Sequence, residues 1–401
     1  MKAKIATILF IFICSAVNAQ KIWTLQECIK YAKENNITVR MQSLLQQNQE
    51  IRVSTAKNQR LPNLSASVSQ PFSFGRAASP ADNSYQSINT ATTSLSASTT
   101  APLFTGFQIP NEIAAAKLDL QAAIADFEKA KEDVELSVIS SYLQILYNKE
   151  LLGIAKNQLD LSARQAERIE AMYTLGKTSE AQVYEVKSQI ANDELAVVQA
   201  TNDLQLSMLA LTQLLELSSP DGFDVETPDD MDADFLLPAN PDYTYENALA
   251  TRAAIRADEY RLASSEKSVK IARSGYFPQL SFGAGYSNNY YTINGVSNMS
   301  FPQQLRNNES KYVGFYLNIP IFDRFATRNN IRAAKLSVKN QELQLENTKK
   351  TLYKEIQQAY YNATGAKEKY KSSEVALESA KKAYEFAKEK FENGRSTTYE
   401  F

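Results

Sequence analysis

One stretch of this chain occurs twice, and any fold proposed for it must house both copies. Ala101-Pro-Leu-Phe-Thr-Gly-Phe107 returns as Ile319-Pro-Ile-Phe-Asp-Arg-Phe325, so Pro102 reappears as Pro320 at an offset of 218 residues. The register then holds without a gap. Asn111, Ile113 and Lys117 return as Asn329, Ile331 and Lys335, Tyr142 as Tyr360, and Lys149-Glu150 as Lys367-Glu368. Tyr173-Thr-Leu-Gly176 returns as Phe391-Glu-Asn-Gly394. A constant register over such a length marks one structural unit, duplicated and kept.

Most of that unit is a single helix. Between Pro110 and Gly153 there is neither Gly nor Pro. Ile113, Leu120, Ile124, Phe127, Val134, Val138 and Tyr142 recur at sevens, fours and threes, a seam narrow enough for helix-on-helix packing. Residues 110–175 at about 1.5 Å each give roughly 100 Å, too long for an ordinary globular domain. The helix therefore belongs to a coiled coil or to an elongated assembly.

Before each copy the period shifts from 3.6 to 2. Leu64, Ala66, Val68, Phe72 and Phe74 alternate with Ser65, Ser67, Ser69 and Ser73. After a polar loop at 76–92, Leu95, Ala97, Ala101 and Leu103 alternate with Ser94, Ser96, Ser98 and Thr100. In the second copy Leu280, Phe282, Ala284 and Tyr286 alternate with Ser281, Gly283, Gly285 and Ser287; after a loop at 288–310, Val313, Phe315, Leu317 and Ile319 alternate with Tyr312, Gly314, Tyr316 and Asn318. Such alternation predicts strands with one apolar and one wet face. A half-buried soluble sheet would show it too. The small Ser, Thr and Gly on the wet face and the aromatics near the strand ends favour a membrane barrel around water.

The first residues read as a secretory leader over 1–19. Lys2 and Lys4 precede an apolar run from Ile5 to Ile13, and Val17-Asn-Ala19 supplies a cleavage site before Gln20. Ile11-Phe-Ile13 is too bulky for Cys14 to be a lipidated cysteine, so Cys28 is the one thiol expected in the mature chain. The chain has no histidine, which removes the commonest general base and metal ligand. With no nucleophile elbow, paired cysteines or Gly-rich phosphate loop either, no enzyme, cofactor or metal site is expected. A net charge of −2 gives no reason to expect nucleic acid.

The division of the chain follows. The first repeat takes 20–216, with helices over 24–60 broken at Asn35-Asn36, a β-hairpin over 61–104, the long helix over 110–175 and a return helix over 178–216. Thr24-Leu-Gln-Glu27 is a capping box opening the first helix. Residues 217–243 form an acidic, Pro-containing segment. It lacks the spacing and central Gly of a calcium loop and reads as a solvated linker. The second repeat takes 244–401, with helices over 244–276, a β-hairpin over 278–322 and the long helix over 328–393. Phe401 matches Val183, so a return helix like 183–217 has no counterpart, and a natural protein longer by at least about 35 residues is predicted from the repeat.

Four strands cannot close a barrel, and an open edge in lipid leaves backbone groups unpaired. Two copies would give eight strands and an interior filled by side chains, whereas three give twelve and a channel. A homotrimer is expected, with its helices on the periplasmic side. The fold class is thus an α+β membrane protein: long α-helical coiled-coil hairpins plus four antiparallel strands, one third of a trimeric 12-stranded β-barrel.

The order helix, helix, hairpin, long helix, Tyr-x-x-Gly turn and return helix, all duplicated, resembles the TolC-type outer-membrane efflux proteins. The resemblance runs from Thr24-Leu-Gln-Glu-Cys-Ile-Lys-Tyr-Ala-Lys-Glu-Asn-Asn36 to the second turn. It implies a trimeric exit duct in the outer membrane of a Gram-negative bacterium, with outer-membrane lipid around it. It also implies a periplasmic adaptor (membrane fusion protein) and an inner-membrane transporter as partners, and export of small molecules such as drugs or metals, or of proteins. The turns carrying Tyr173, Leu175, Gly176, Phe391 and Gly394 would form the periplasmic tip that meets the adaptor. The family often has Asp six residues past each turn glycine; here those positions are Gln182 and Glu400, candidates for the pore aperture. Three copies of Glu400 would form an acidic ring selecting against anions. The competing expectation is an exported coiled-coil structural protein without a channel, against which the small polar strand faces argue.

Overall fold

The computed structural model describes residues 22–78, 83–87, 89–227, 240–295 and 297–396. The leader over 1–19, residues 228–239 of the acidic segment and Glu400 lie outside the described residues. Two compact units divide the chain. One takes residues through Leu45, Asp126–Ala248 and those from Tyr353; the other takes Gln46–Ala125 and Leu249–Leu352.

The first unit holds an apolar core built around Cys28, Val138, Ile145 and Leu211. Strand β1 (Ile22–Trp23) leads into α1 (Leu25–Asn35), where Glu27 N–H donates to the Thr24 hydroxyl and Thr24 N–H donates to the Glu27 carboxylate. This capping box satisfies two amides that a helix start leaves orphaned. Asn36 stops α1 and starts α2 (Ile37–Asn58). Its side chain accepts from Thr38 N–H and donates to the Leu214 carbonyl at 2.9 Å, at the end of α4 (Glu180–Leu214). Glu216 answers by accepting from Ile37 N–H. Two helix ends are therefore capped by each other.

Helix α3 (Gln108–Thr174) supplies Val134, Val138, Tyr142 and Ile145, four or three residues apart, to this core. They meet Cys28, Ile29 and Ala32 of α1 and Leu211 and Leu215 at the end of α4. Ile145 and Leu211 are wholly buried, and each such side chain contributes roughly 1.5–3 kcal/mol. Phe223 and Val225 join the cluster, because β7 (Asp224–Val225) pairs in parallel with β1. This corrects the reading of 217–243 as solvated linker throughout: the apolar alternates of an acidic run are folded into the core.

The second unit holds the sheet. Strands β2 (Asn63–Ser69), β6 (Thr90–Thr105), β8 (Gln279–Ile293) and β9 (Ser310–Asn318) are antiparallel and lie side by side in that order. A short β3 (Phe72–Ser73) also pairs with β6. The two hairpins are joined to each other by the β6–β8 ladder. Beyond Arg76, β4 (Arg76–Ala78) and β5 (Tyr85–Ser87) pair as a separate ribbon inside what reads as a loop. At Pro102 the ladder slips, with Pro102 opposite Ser281 and Phe104 opposite Leu280. Proline has no N–H to give the ladder, so Leu103 becomes an extra, bulged residue and leaves the alternation it shows in sequence.

Helices α5 (Pro241–Thr251) and α6 (Ala253–Arg273) precede β8. On α6 the buried Asp258 pairs with Arg261 at 2.9 Å and accepts from Thr348 of α8 (Ala326–Glu392) at 2.7 Å. The stretch 288–310, read as loop, contains the end of β8 and a short helix, α7 (Phe301–Asn307). Gln304 of α7 is buried, accepting from Tyr291 N–H and donating to the Tyr291 and Met299 carbonyls. One buried amide thus replaces the missing neighbour strand along part of β8. Among the described residues no helix is long and apolar enough to cross a membrane.

Candidate functional site

The register assigns each strand residue to a face. Leu64, Thr99, Ala284 and Val313 form one transverse row, and Ala101, Phe282 and Phe315 another. Val313 and Phe315 are 72% and 70% exposed and Leu64 is 80% exposed, so among the described residues nothing covers this apolar face at β2 and β9. The opposite face carries the row Ser65, Ser98, Gly285 and Tyr312. The Tyr312 and Tyr316 rings lie over Gly285 and Gly283, where an added Cβ would stand 2.5 Å and 2.9 Å from them. That face is small and polar, with two tyrosines laid flat along it. The outer edges of β2 and β9 carry no ladder among the described residues.

Both turns predicted as tips are built alike. Lys177 N–H donates to the Met172 carbonyl, and Arg395 N–H to that of Lys390, each at 2.8 Å. Gly176 and Gly394 take φ of 67° and 68°, the left-handed helix stop for which glycine has no steric penalty. Tyr173 and Leu175 are exposed. Phe391 lies 3.9 Å beneath the Arg168 guanidinium of α3, so the second turn is held against the stem of the first. Nearby, Glu170 holds Lys187 at 2.9 Å and raises its pKa, mainly through that hydrogen bond. Gln182 is exposed on the first turn of α4 and accepts from the Thr178 hydroxyl. Its proposed aperture partner, Glu400, lies outside the described residues.

A functional-scale feature that periodicity misses is the clamp on the β1–β7 pair. The Tyr142 hydroxyl donates to the Glu226 carbonyl at 2.8 Å and contacts that of Trp23 at 3.3 Å. Lys149, two turns on, donates to the Val225 carbonyl at 2.8 Å and pairs with Asp224 at 2.6 Å. Burial pushes the Tyr142 pKa up to about 12. The signal was present: both residues recur in the second repeat as Tyr360 and Lys367. Among the described residues no group of acids, cysteines or histidines is arranged to hold a metal.

Comparison with known proteins agrees with this architecture. The family model described as "outer membrane efflux protein" matches residues 28–216 and 244–401. The cobalt-zinc-cadmium resistance protein CzcC of Cupriavidus metallidurans is 25% identical over 56% of this chain; the match spans about half, 49%, of that relative's length. The outer membrane efflux protein BepC of Brucella suis is 21% identical over 94% of this chain and 77% of its own. The crystal structure of the Campylobacter jejuni CmeC outer membrane channel superposes with a TM-score of 0.80 at 16% identity, covering 94% of this chain and 78% of that one.

Proposed function

The chain belongs to the outer membrane efflux protein family, whose members are non-enzymatic ducts in the outer membrane of Gram-negative bacteria, and from that premise we propose that three copies pool their sheets into one twelve-stranded barrel. The observation that carries this reading is the sheet with an exposed apolar face, a Ser- and Gly-rich opposite face and two open edges. In lipid each unpaired backbone group on those edges costs several kcal/mol, and pairing β2 of one copy with β9 of the next removes the edges. The apolar face then meets lipid and the small polar face lines water.

The duct is passive, and energy and substrate choice come from an inner-membrane transporter reached through a periplasmic adaptor. Its cargo is small molecules, such as drugs or metals, or proteins. A wide aqueous tube lined by small hydroxyls carries little substrate code. The adaptor contact falls on the turns of Tyr173, Leu175, Gly176, Phe391 and Gly394, whose common geometry presents two similar knobs per copy. Gln182 and Glu400 line the aperture, where three carboxylates favour cations. Single-channel conductance in planar bilayers tests the reading. The protein should form cation-preferring pores, and Glu400→Gln should weaken that preference without abolishing conduction. Pores with unchanged selectivity remove the acidic ring; absence of pores removes the duct.

A further inference from the structure

Each strand-to-helix exit of the second unit carries the same strained aromatic device. Phe107 and Phe325 are non-glycine residues with φ of 67° and 63°, directly after Gly106 and Arg324, which also have positive φ. Two successive left-handed residues are unfavourable, more so at a bulky side chain, and such strain persists where the site uses it. Here it turns a phenyl outward. Phe104 and Phe107 stack edge to face at 5.3 Å, and Phe322 and Phe325 at 5.5 Å, all four exposed. Beside each pair stands a guanidinium. Arg60, with Leu103, Phe104, Phe107 and Ile109, lines a cavity of about 370 Å³ at the first exit. At the second, the Arg328 guanidinium lies 6.0 Å from the Phe325 ring, and Arg324 precedes Phe325 in the sequence. Asp323 is the nearby carboxylate. It accepts from Thr327 N–H at 2.6 Å, capping α8, and its pKa is held down by the side-chain and backbone hydrogen bonds from Thr327.

We infer that each exit binds the headgroup of an anionic glycerophospholipid, phosphate on the arginine and glycerol and upper acyl chain against the phenyl pair. This rests on the barrel reading above, which puts the exits at the periplasmic edge of the lipid. The occupant follows from the chemistry. Guanidinium matches a phosphate fork with charge-assisted hydrogen bonds. A free inorganic anion would gain nothing from four exposed phenyls, and a plain acyl chain nothing from the arginines. Only an amphiphile with phosphate at its polar end uses both, and a choline on that phosphate would bring a second cation against the guanidinium, which leaves an anionic headgroup.

The test uses the purified full chain in detergent, observed by native mass spectrometry with added dioleoylphosphatidylglycerol, dioleoylphosphatidylcholine or inorganic phosphate. Phosphatidylglycerol should remain bound where phosphatidylcholine does not. The combined Arg60→Gln, Arg324→Gln and Arg328→Gln variant should bind it about tenfold more weakly, the loss expected of charge-assisted hydrogen bonds, with an unchanged helical circular-dichroism melt. Equal binding by variant and wild type overturns the inference, as does equal retention of the two lipids. Displacement by millimolar inorganic phosphate overturns it in favour of a free-anion site. Conductance of the same preparations separates the two readings. Arginine-dependent lipid binding without pores would sink the duct alone, and pores without it would sink the lipid site alone.

Discussion

Position 106 shows how one residue type can be required twice over. Gly106 has φ of 62°, and a Cβ there would stand 2.7 Å from the Ser274 carbonyl oxygen and 2.8 Å from Phe277 Cβ. Its equivalent in the second repeat is Arg324, which adopts the same φ in a place where a side chain fits. The duplication kept the backbone and relaxed the packing at one copy. At Tyr142 the requirement is chemical. Its hydroxyl serves buried carbonyls, and its pKa is raised from near 10 to about 12 because burial disfavours the phenolate. A raised pKa means the folded state keeps the proton longer, so the contribution is full below about pH 10 and is lost as pH rises towards 12. Tyr142→Phe should therefore lower stability by about 1–2 kcal/mol at pH 8, measured by denaturant unfolding. The gap to wild type should shrink or reverse at pH 11. A constant gap across that window would show that the hydroxyl titrates alike in the folded and unfolded chains, so that burial does not raise its pKa.

Between elements, the α3–α4 hairpin is aligned by polar contacts set into an apolar seam. The Ser162 hydroxyl donates to the buried Asp193 carboxylate at 2.5 Å, and Gln189 donates to the other oxygen at 3.0 Å. Further along, Asn148 donates to the Asp203 carbonyl at 3.0 Å. A seam of alanines and leucines can slide by a turn with little loss, whereas a buried carboxylate cannot leave its donors without a penalty. Ser162→Ala should thus destabilise the hairpin by about 1–3 kcal/mol, read as faster amide exchange over α3 and α4. Exchange unchanged from wild type would show that Gln189 alone satisfies Asp193. These pairs were not legible beforehand, since Ser162 and Asp193 look like ordinary polar positions until the facing helix is in place. The seam itself was legible, and Val134, Val138 and Tyr142 all lie in the core.

For the molecule as a whole, the decisive feature is a sheet whose outer strands, β2 and β9, have no further ladder among the described residues. Strands β2 and β9 have β6 and β8 between them, so in a single subunit their separation is about 14 Å, three inter-strand spacings. A disulfide spans less than about 7 Å between Cα atoms, so it cannot form within one copy. Ser67→Cys combined with cysteines placed singly along β9 should therefore give covalent dimers and trimers on oxidation in outer-membrane fractions, at alternate β9 positions. Intramolecular bridging, or none at any position, would refute the shared barrel.

Much of this was written in local pattern. The repeat, the helix seams, the strand faces and the glycine turns follow from backbone geometry and from side chains a few positions apart, which a linear chain displays directly. Other features arise where distant segments meet. Val225 is buried because Trp23 and Tyr142 come to it, Leu103 bulges because Pro102 cannot feed the neighbouring ladder, and Gln304 folds in because the edge of β8 needs a partner. No period encodes such contacts: they are set by which backbone groups are left unpaired once the elements have packed, and by whichever side chain is near enough to satisfy them.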